Sequence, residues 1–455
     1  MPQKSYEMDM TEGPLLKKIL AYSLPLMLTG ILQFFYNAAD MIVAGKYAGS
    51  GALAAVGSTG SLINLIVSLF IGVSVGVGVT VARHYGAKEQ EDVSQTVHTA
   101  MLVSIVGGVV IGVFGFLMAR SFLSWMNCPS DVIDQAALYV RIFFVGLPSL
   151  MVYNFGAGVL RAVGDTRRPL YFLIVAGAVN VGLNLVFVIV LRMGVAGVAW
   201  ATVISETLSA VLVVNCLMRT PGSVRFYPAK MAIHKDKLWA MVRIGLPAGM
   251  QSALFSISNV LIQSTVNSFG SFAVAGSAAA GNIENFIYIS VNGFSQAAVS
   301  FVSQNVGAKR YARIGKVGLF CCVLVLLSGA VTGAAVLLLR TPLLSLYNDD
   351  PAVVAFGGER LMAIALAYPL CGLMEVFTGM LRGMGKSLMP TLATIFGACV
   401  FRIVWLETVF PRFHTLMSIY VSYPASWLVT SLALFIMYLL VKRRLLVRAQ
   451  AEPGA

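Results

Sequence analysis

The sequence predicts an all-α integral membrane protein of twelve transmembrane helices arranged as two parallel six-helix halves. Three observations carry that expectation. Of the 455 residues, 58% are hydrophobic and only 11% are charged, too few polar side chains to cover a soluble fold of this size. Twelve stretches reach the roughly 20 apolar residues that a membrane-spanning helix needs, and short polar connections separate them. One offset of 221 residues, the distance from Gly60 to Gly281, superimposes the two halves over a long stretch without a gap.

The stretches lie near residues 17–43, 53–81, 95–118, 136–160, 168–191, 195–218, 238–268, 277–302, 317–340, 360–381, 388–410 and 415–441. The first is too long for a secretory h-region and no A-x-A-like cleavage site follows it, so it reads as a retained helix. The chain then divides into an N-terminal tail (1–16), an N-terminal six-helix half (17–218), a linker (219–237), a C-terminal six-helix half (238–441) and a basic tail (442–455). The linker carries Pro221, Gly222 and Pro228 among basic residues, and the acidic N-terminal tail and the chain after Arg448 read as disordered ends.

A net charge of +13 would suggest nucleic acid for a soluble protein, but here the placement of the charges matters more than their sum. With the N-terminus in the cytoplasm, most Lys and Arg fall on the cytoplasmic side, among them Lys17, Lys18, Arg167, Arg168, Lys235, Lys237, Lys309, Arg310, Arg313, Lys442, Arg443 and Arg444. Lys46, Arg120, Arg141, Arg192, Arg340, Arg360 and Arg412 lie outward, and Arg402 sits within a span. The bias places the chain in the cell (inner) membrane, multi-pass, with both termini cytoplasmic.

The repeat is specific. Gly60, Asn64, Gly72 and Ser74 match Gly281, Asn285, Gly293 and Ser295; Gly86, Ala87 and Lys88 match Gly307, Ala308 and Lys309; Asn127 matches Asn348. Pro148 matches Pro369, Leu160 and Arg161 match Leu381 and Arg382, and Gly164 and Pro169 match Gly385 and Pro390. Six helices per repeat is an even number, so both halves enter from the same side and a substrate site is expected where they meet. Pro25 with Pro247, and Pro148 with Pro369, interrupt the first and fourth helices of each half; each serves either motion or a static bend.

Ionisable groups inside a membrane are costly, which makes each a functional candidate. In the N-terminal half these are Asp40 and Glu206. Gln33, Tyr36, Asn37 and Asp40 recur at steps of three and four, on one helical face. The fifth helix places Asn180 and Asn184 one turn apart, and the sixth does the same with Thr202 and Glu206. Antiparallel packing levels Asn184 with Thr202 near Asp40, and Asn180 with Glu206 about 6 Å deeper, from four residues of rise. Asp40 is either a titrating group or a carboxylate satisfied locally by Tyr36 and Asn37.

The C-terminal half holds Glu284, Glu375, Arg402 and Glu407. Either Arg402 pairs with Glu375 or Glu284 and braces the bundle, or a carboxylate stays free to attract a cationic substrate. The seventh helix adds a polar stripe of Gln251, Ser252, Ser256, Asn259 and Gln263, and the eighth adds Asn282, Asn285, Tyr288 and Asn292. A cavity lined by amides and Tyr suits varied amphipathic ligands, although such stripes also glue membrane helices together. Gln33, Tyr36, Asn37, Gln251, Asn259, Glu284, Tyr288 and Glu375 are thus the candidate substrate-binding residues, and Asp40, Asn180, Asn184, Thr202 and Glu206 the candidate ion-coupling residues.

The segments VARHYGAK at 81–88 and VSQNVGAK at 302–309 resemble the paired signature of the multidrug and toxic compound extrusion (MATE) family. LRAVGDTRRP at 160–169 and LRGMGKSLMP at 381–390 resemble its second pair, and the likeness spans roughly residues 14–442. It implies the MATE fold and a cation-coupled antiporter that exports organic, often cationic, drugs or metabolites by alternating access. In the prokaryotic branch, an acid on the first helix, an Asn and an Asp four apart on the fifth and a Thr on the sixth form a proton- or sodium-linked cluster. Asp40, Asn180 and Thr202 match that pattern, whereas Asn184 stands where it has Asp; Glu206, one turn from Thr202, is the residue we expect to replace the lost carboxylate.

The loss weakens a multi-carboxylate sodium site and favours protons. A lipid or oligosaccharide-lipid flippase of the same fold is the alternative. The loop RHYGAKEQED at 83–92 does not fit the glycine, acid and paired basic signature of the major facilitator type. An enzyme is not expected: His84, His98, His234 and His414 are placed at helix ends or loops without ligand spacing, and no phosphate-binding loop occurs. The six cysteines suggest no disulfide framework or metal site. No cofactor is expected beyond H+ or Na+ as coupling ion. The expected partners are a small organic substrate and the lipid bilayer, not nucleic acid, with the chain acting as a monomer.

Overall fold

The computed structural model describes residues 6–126, 128–130 and 132–451. Asn127, which the repeat pairs with Asn348, lies outside the described residues, as do residues 1–5 and 452–455 of the tails. Among the described residues the regular structure is helical throughout, and the long helices follow the apolar stretches. They are α1 (Leu15–Ala48), α2 (Ser50–Gly86), α3 (Gln90–Trp125), α4 (Ile133–Ala162), α5 (Arg167–Val190) and α6 (Val195–Arg219). After the linker come α7 (Lys235–Asn267), α8 (Ser271–Gly307), α9 (Tyr311–Leu338), α10 (Pro351–Gly383), α11 (Leu388–Thr408) and α12 (Leu416–Ala451).

Eleven of these are long and apolar enough to cross a membrane. The exception is α7, which is as long, at 33 residues, but is diluted by Gln251, Ser252, Ser256, Ser258, Asn259 and Gln263. A helix of that kind spans only where its polar stripe is kept from lipid.

The repeat holds down to single contacts. Gly49 (φ 92°) and Gly270 (φ 94°) introduce α2 and α8, each 37 residues long, in a backbone region open to glycine. Both helices finish on Gly-Ala-Lys, and Lys88 (φ 62°) and Lys309 (φ 56°) share the same uncommon left-handed turn. Ser74 Oγ donates to the Asn154 carbonyl at 2.7 Å, and its mate Ser295 donates to the Glu375 carbonyl at 2.9 Å. α4 is the centre of the first half, packed on α2, α3 and α6, and α10 plays that part among α8, α9 and α12.

Contacts divide the chain into two compact units. One holds Leu28–Gly249 and the described residues up to Asp9; the other holds Met10–Met27 and the chain from Met250 onward. Both α1 and α7 are therefore shared, each divided two residues beyond its proline, Pro25 or Pro247. Proline removes one intrahelical hydrogen bond there.

In the first unit the opening turns of α7 lie on α2. A Cβ on Gly72, Gly76, Gly245 or Gly249 would overlap the backbone of the facing helix, so the two chains touch main chain to main chain. In the second unit the opening of α1 lies on α8, with Ser23 and Met27 closing over Gly293.

The N-terminal segment differs from the expected disordered tail. Tyr85 donates to the Glu7 carboxylate at 2.7 Å and the Met8 N–H donates to the Val163 carbonyl at 2.9 Å, both in the first unit. In the second, Met10 is fully buried and donates its N–H to Gln304 Oε1 at 3.1 Å, while Arg313 binds the Glu12 and Gly13 carbonyls at 2.9 and 2.7 Å. Polar side chains at the helix ends satisfy a backbone whose own composition looked unable to fold. At the other end α12 stays helical to Ala451.

Candidate functional site

In the first unit α1, α5 and α6 bring the expected coupling residues together. Asn184 Nδ2 donates to Asp40 Oδ1 at 2.5 Å, and Thr202 Oγ1 lies 3.3 Å from Asp40 Oδ2. Asn184 Nδ2 also reaches Asn180 Oδ1 at 3.2 Å, the one-turn ladder read from the spacing. Both amide protons of Asn184 are thus committed, while its Oδ1 is buried and without a partner among the described residues.

Asn180 and Asn184 are buried, whereas Asp40 keeps some accessible surface. Glu206 makes no direct bond to Asp40 but lies close enough for the two charges to interact. Glu206 keeps some accessible surface, as Asp40 does. Tyr139 of α4, absent from the sequence-based candidates, is buried within electrostatic reach of both acids.

Tyr36 serves the framework. Its hydroxyl donates to the Leu173 carbonyl at 3.0 Å, and its ring fills the space that a Cβ on Gly177 would need. That contact seats α1 on α5 one turn from Asp40. Asn37 and Gln33 stay exposed.

The second unit redistributes the charges that the sequence offered. Glu284 is buried and binds Arg360 through two bonds, Nε to Oε1 at 2.8 Å and Nη2 to Oε2 at 2.9 Å. Arg360 also donates to Ser277 Oγ at 2.8 Å and lies over the rings of Tyr420 and Tyr423. The expectation that Arg402 pairs with Glu284 or Glu375 is therefore corrected. Arg402 donates to Ser426 Oγ at 2.9 Å and sits 4.1 Å from the Tyr423 ring centroid. Arg360, expected toward the outer side at the start of its span, sits more than two turns into α10, which begins at Pro351.

Glu375 instead has Arg382 for its charged neighbour. Arg382 Nη2 donates to Gln251 Oε1 at 2.9 Å, and Asn292 Nδ2 donates to the Tyr288 hydroxyl at 3.3 Å in the same group. Asn259 is exposed and joins none of these bonds among the described residues. Arg382 follows Glu375 by two turns, a spacing that does not by itself make two helical side chains neighbours.

His234 and His414 lie at helix ends as expected, whereas His98 differs in position and His84 in its neighbours. His98 is buried two turns inside α3, where Nδ1 meets the Ser94 carbonyl at 2.7 Å and Nε2 accepts the Tyr227 N–H at 3.0 Å, tying the linker to α3. His84 lies 2.5 Å from Glu89, and Asp92 completes a group whose ligand atoms fall within 4.8 Å of one another. Asp92 is already engaged by Lys237.

A family model described as MatE matches residues 25–212 and 247–406, well over half of the chain. The chain belongs to the MatE family. This MatE protein is 28% identical over 441 residues to a Bacillus subtilis protein described as probable multidrug resistance protein YoeA, with 93% of each chain covered. It is 24% identical over 373 residues to a Shewanella oneidensis protein described as an FAD transporter, covering 80% of this chain and 81% of the other. A solved outward-facing multidrug resistance MATE family transporter shares the fold at a TM-score of 0.91 and 21% identity, covering 97% of this MatE protein and 99% of that chain. The paired signatures thus pointed to the right family.

Proposed function

We propose that this MatE protein exports organic cations in exchange for protons, with Asp40 as the exchanging group and Glu206 as its electrostatic partner. The observation that carries the reading is the Asn184–Asp40 contact. Ionised Asp40 accepts from Asn184 and from Thr202. Protonated Asp40 becomes a donor and needs an acceptor, and Asn184 Oδ1, without a partner among the described residues, supplies one once the amide turns over. The same residues therefore serve both protonation states.

A sodium ion fits this arrangement less well. The amide N–H groups of Asn184 point at Asp40 and at Asn180, where a cation would require oxygen ligands, and the fifth helix brings no second carboxylate. Two neighbouring acids bind protons as a coupled pair. Protonation from outside removes the charge that holds a cationic substrate, and proton release to the cytoplasm restores it. Both termini are cytoplasmic in this reading, and the membrane is the inner one.

The test is ethidium efflux from liposomes containing the purified protein, with a pH gradient or a sodium gradient imposed separately. Movement driven by pH alone supports the scheme, and dependence on sodium would move the ion site away from Asp40. Failure of the dye to move under either gradient would favour the flippase reading.

A further inference from the structure

In the first unit, metal-ligating side chains gather at the turn that joins α2 to α3. His84 belongs to the last turn of α2, and Glu89 and Asp92 stand three residues apart where α3 begins, so both carboxylates share a face. Lys88 takes the left-handed turn (φ 62°) that doubles the chain back, and the Glu89 N–H donates to the His84 carbonyl at 3.0 Å. His84 Nδ1 thereby comes to 2.5 Å from Glu89 Oε2, and one ligand atom from each of His84, Glu89 and Asp92 falls within 4.8 Å of the others. All three can be reached from outside: the side chains are 20% accessible for His84, 50% for Glu89 and 38% for Asp92. A cation already sits against them. Lys237, in the first turn of α7, binds Asp92 through its ammonium and reaches Asp236 at 3.1 Å.

We propose that His84, Glu89 and Asp92 form a site for a divalent transition-metal ion, best fitted by Zn2+, in which the metal displaces the Lys237 ammonium from Asp92. The donor set decides the class of ion. One imidazole nitrogen with two carboxylate oxygens suits Zn2+, whereas Mg2+ and Ca2+ take oxygen ligands alone. Ligand atoms about 2.0–2.2 Å from a tetrahedral ion stand about 3.3–3.6 Å apart. Glu89 therefore draws back from Nδ1 by about 1 Å and Asp92 moves in, each by rotation of an exposed side chain.

The imidazole binds through the Nδ1 lone pair with its proton on Nε2, and water completes the fourth position. Lys237 keeps Asp236, so giving up Asp92 does not strand a half-buried ammonium. The bound ion joins the end of α2 to the start of α3 and releases the opening of α7 from Asp92. The site stands apart from Asp40, and nothing in it depends on how substrate and proton are exchanged.

The test is titration of the purified full-length protein, in detergent and without a polyhistidine tag, with Zn2+ in competition with a chromogenic chelator. The wild type is expected to withdraw Zn2+ from the chelator in the presence of excess Mg2+. His84→Ala and Glu89→Gln should each weaken binding about tenfold or more, whereas Lys237→Met, which removes the competing cation, should tighten it about threefold. The opposite signs matter, because simple damage to the turn would weaken binding in every variant. Glu89→Gln changes an exposed side chain and supplies the comparison if His84→Ala does not fold. A wild type that takes up no Zn2+, an affinity unchanged by either ligand substitution, or a Lys237→Met protein that binds more weakly would overturn the proposal.

Discussion

Replacing Arg360 by Met while Glu284 remains should destabilise the second unit far more than replacing both residues. Arg360 spends two bonds on Glu284, at 2.8 and 2.9 Å, and one on Ser277 at 2.8 Å, beside the rings of Tyr420 and Tyr423. Removing only the arginine strands a buried carboxylate, which typically costs about 3–5 kcal/mol. At roughly 1.4 kcal/mol per factor of ten, the folded-to-unfolded ratio falls at least a hundredfold.

Replacing both partners removes the charge and its burial penalty together, so Glu284→Leu with Arg360→Met should cost within about 1–2 kcal/mol of nothing. The assay is a double-mutant cycle on reversible unfolding in SDS, followed by tryptophan fluorescence. A single substitution costing under about 1 kcal/mol, or a double variant as unstable as the sum of the singles, would refute the reasoning. The double variant should also keep ethidium binding, which would fail if Glu284 were a substrate ligand and not a brace.

Thr202→Val removes a 3.3 Å bond to the Asp40 carboxylate, worth about 1 kcal/mol, and should slow pH-driven efflux a few-fold in initial-rate measurements. Gly249→Leu drives a side chain into the Leu69 backbone and should sharply reduce the yield of monodisperse protein on size exclusion, whereas Gly57→Leu, with open space beside it, should not. His98→Ala leaves the Tyr227 N–H without its acceptor at a cost of about 1–3 kcal/mol, and should quicken proteolysis within the linker between Thr220 and His234.

Apolar length and the offset repeat made the helices and their pairing legible in the sequence, because both depend on residue type and spacing alone. The Asp40 group was legible for a related reason. Asn180, Asn184 and Thr202 recur at helical spacing on neighbouring antiparallel helices, so depth alone brings them to one level. The arginines were not legible. An arginine near a helix end reaches several ångströms in either direction, and periodicity cannot say whether Arg360 turns to water or to Glu284.

Nor did spacing show that Arg382 belongs with Glu375, since its place in the paired signature with Arg161 read as a motif element instead of a membrane charge. Tyr139 was hidden because an aromatic on an apolar helix looks like core. The sharing of α1 and α7 between the units was beyond sequence reasoning as well: Pro25 and Pro247 announce a possible bend, but which neighbours each segment chooses depends on glycine surfaces such as Gly72 and Gly245 meeting.

The central claim, that substrate and proton compete through Asp40, is tested most directly by the pH change on adding ethidium to purified protein in weakly buffered detergent. Coupling between two ligands is reciprocal, so if protonation expels the cation, the cation must expel a proton. The account predicts acidification on dye binding by the wild type and none with Asp40→Asn. Equal acidification by both proteins, or none by a wild type that binds the dye, would contradict it.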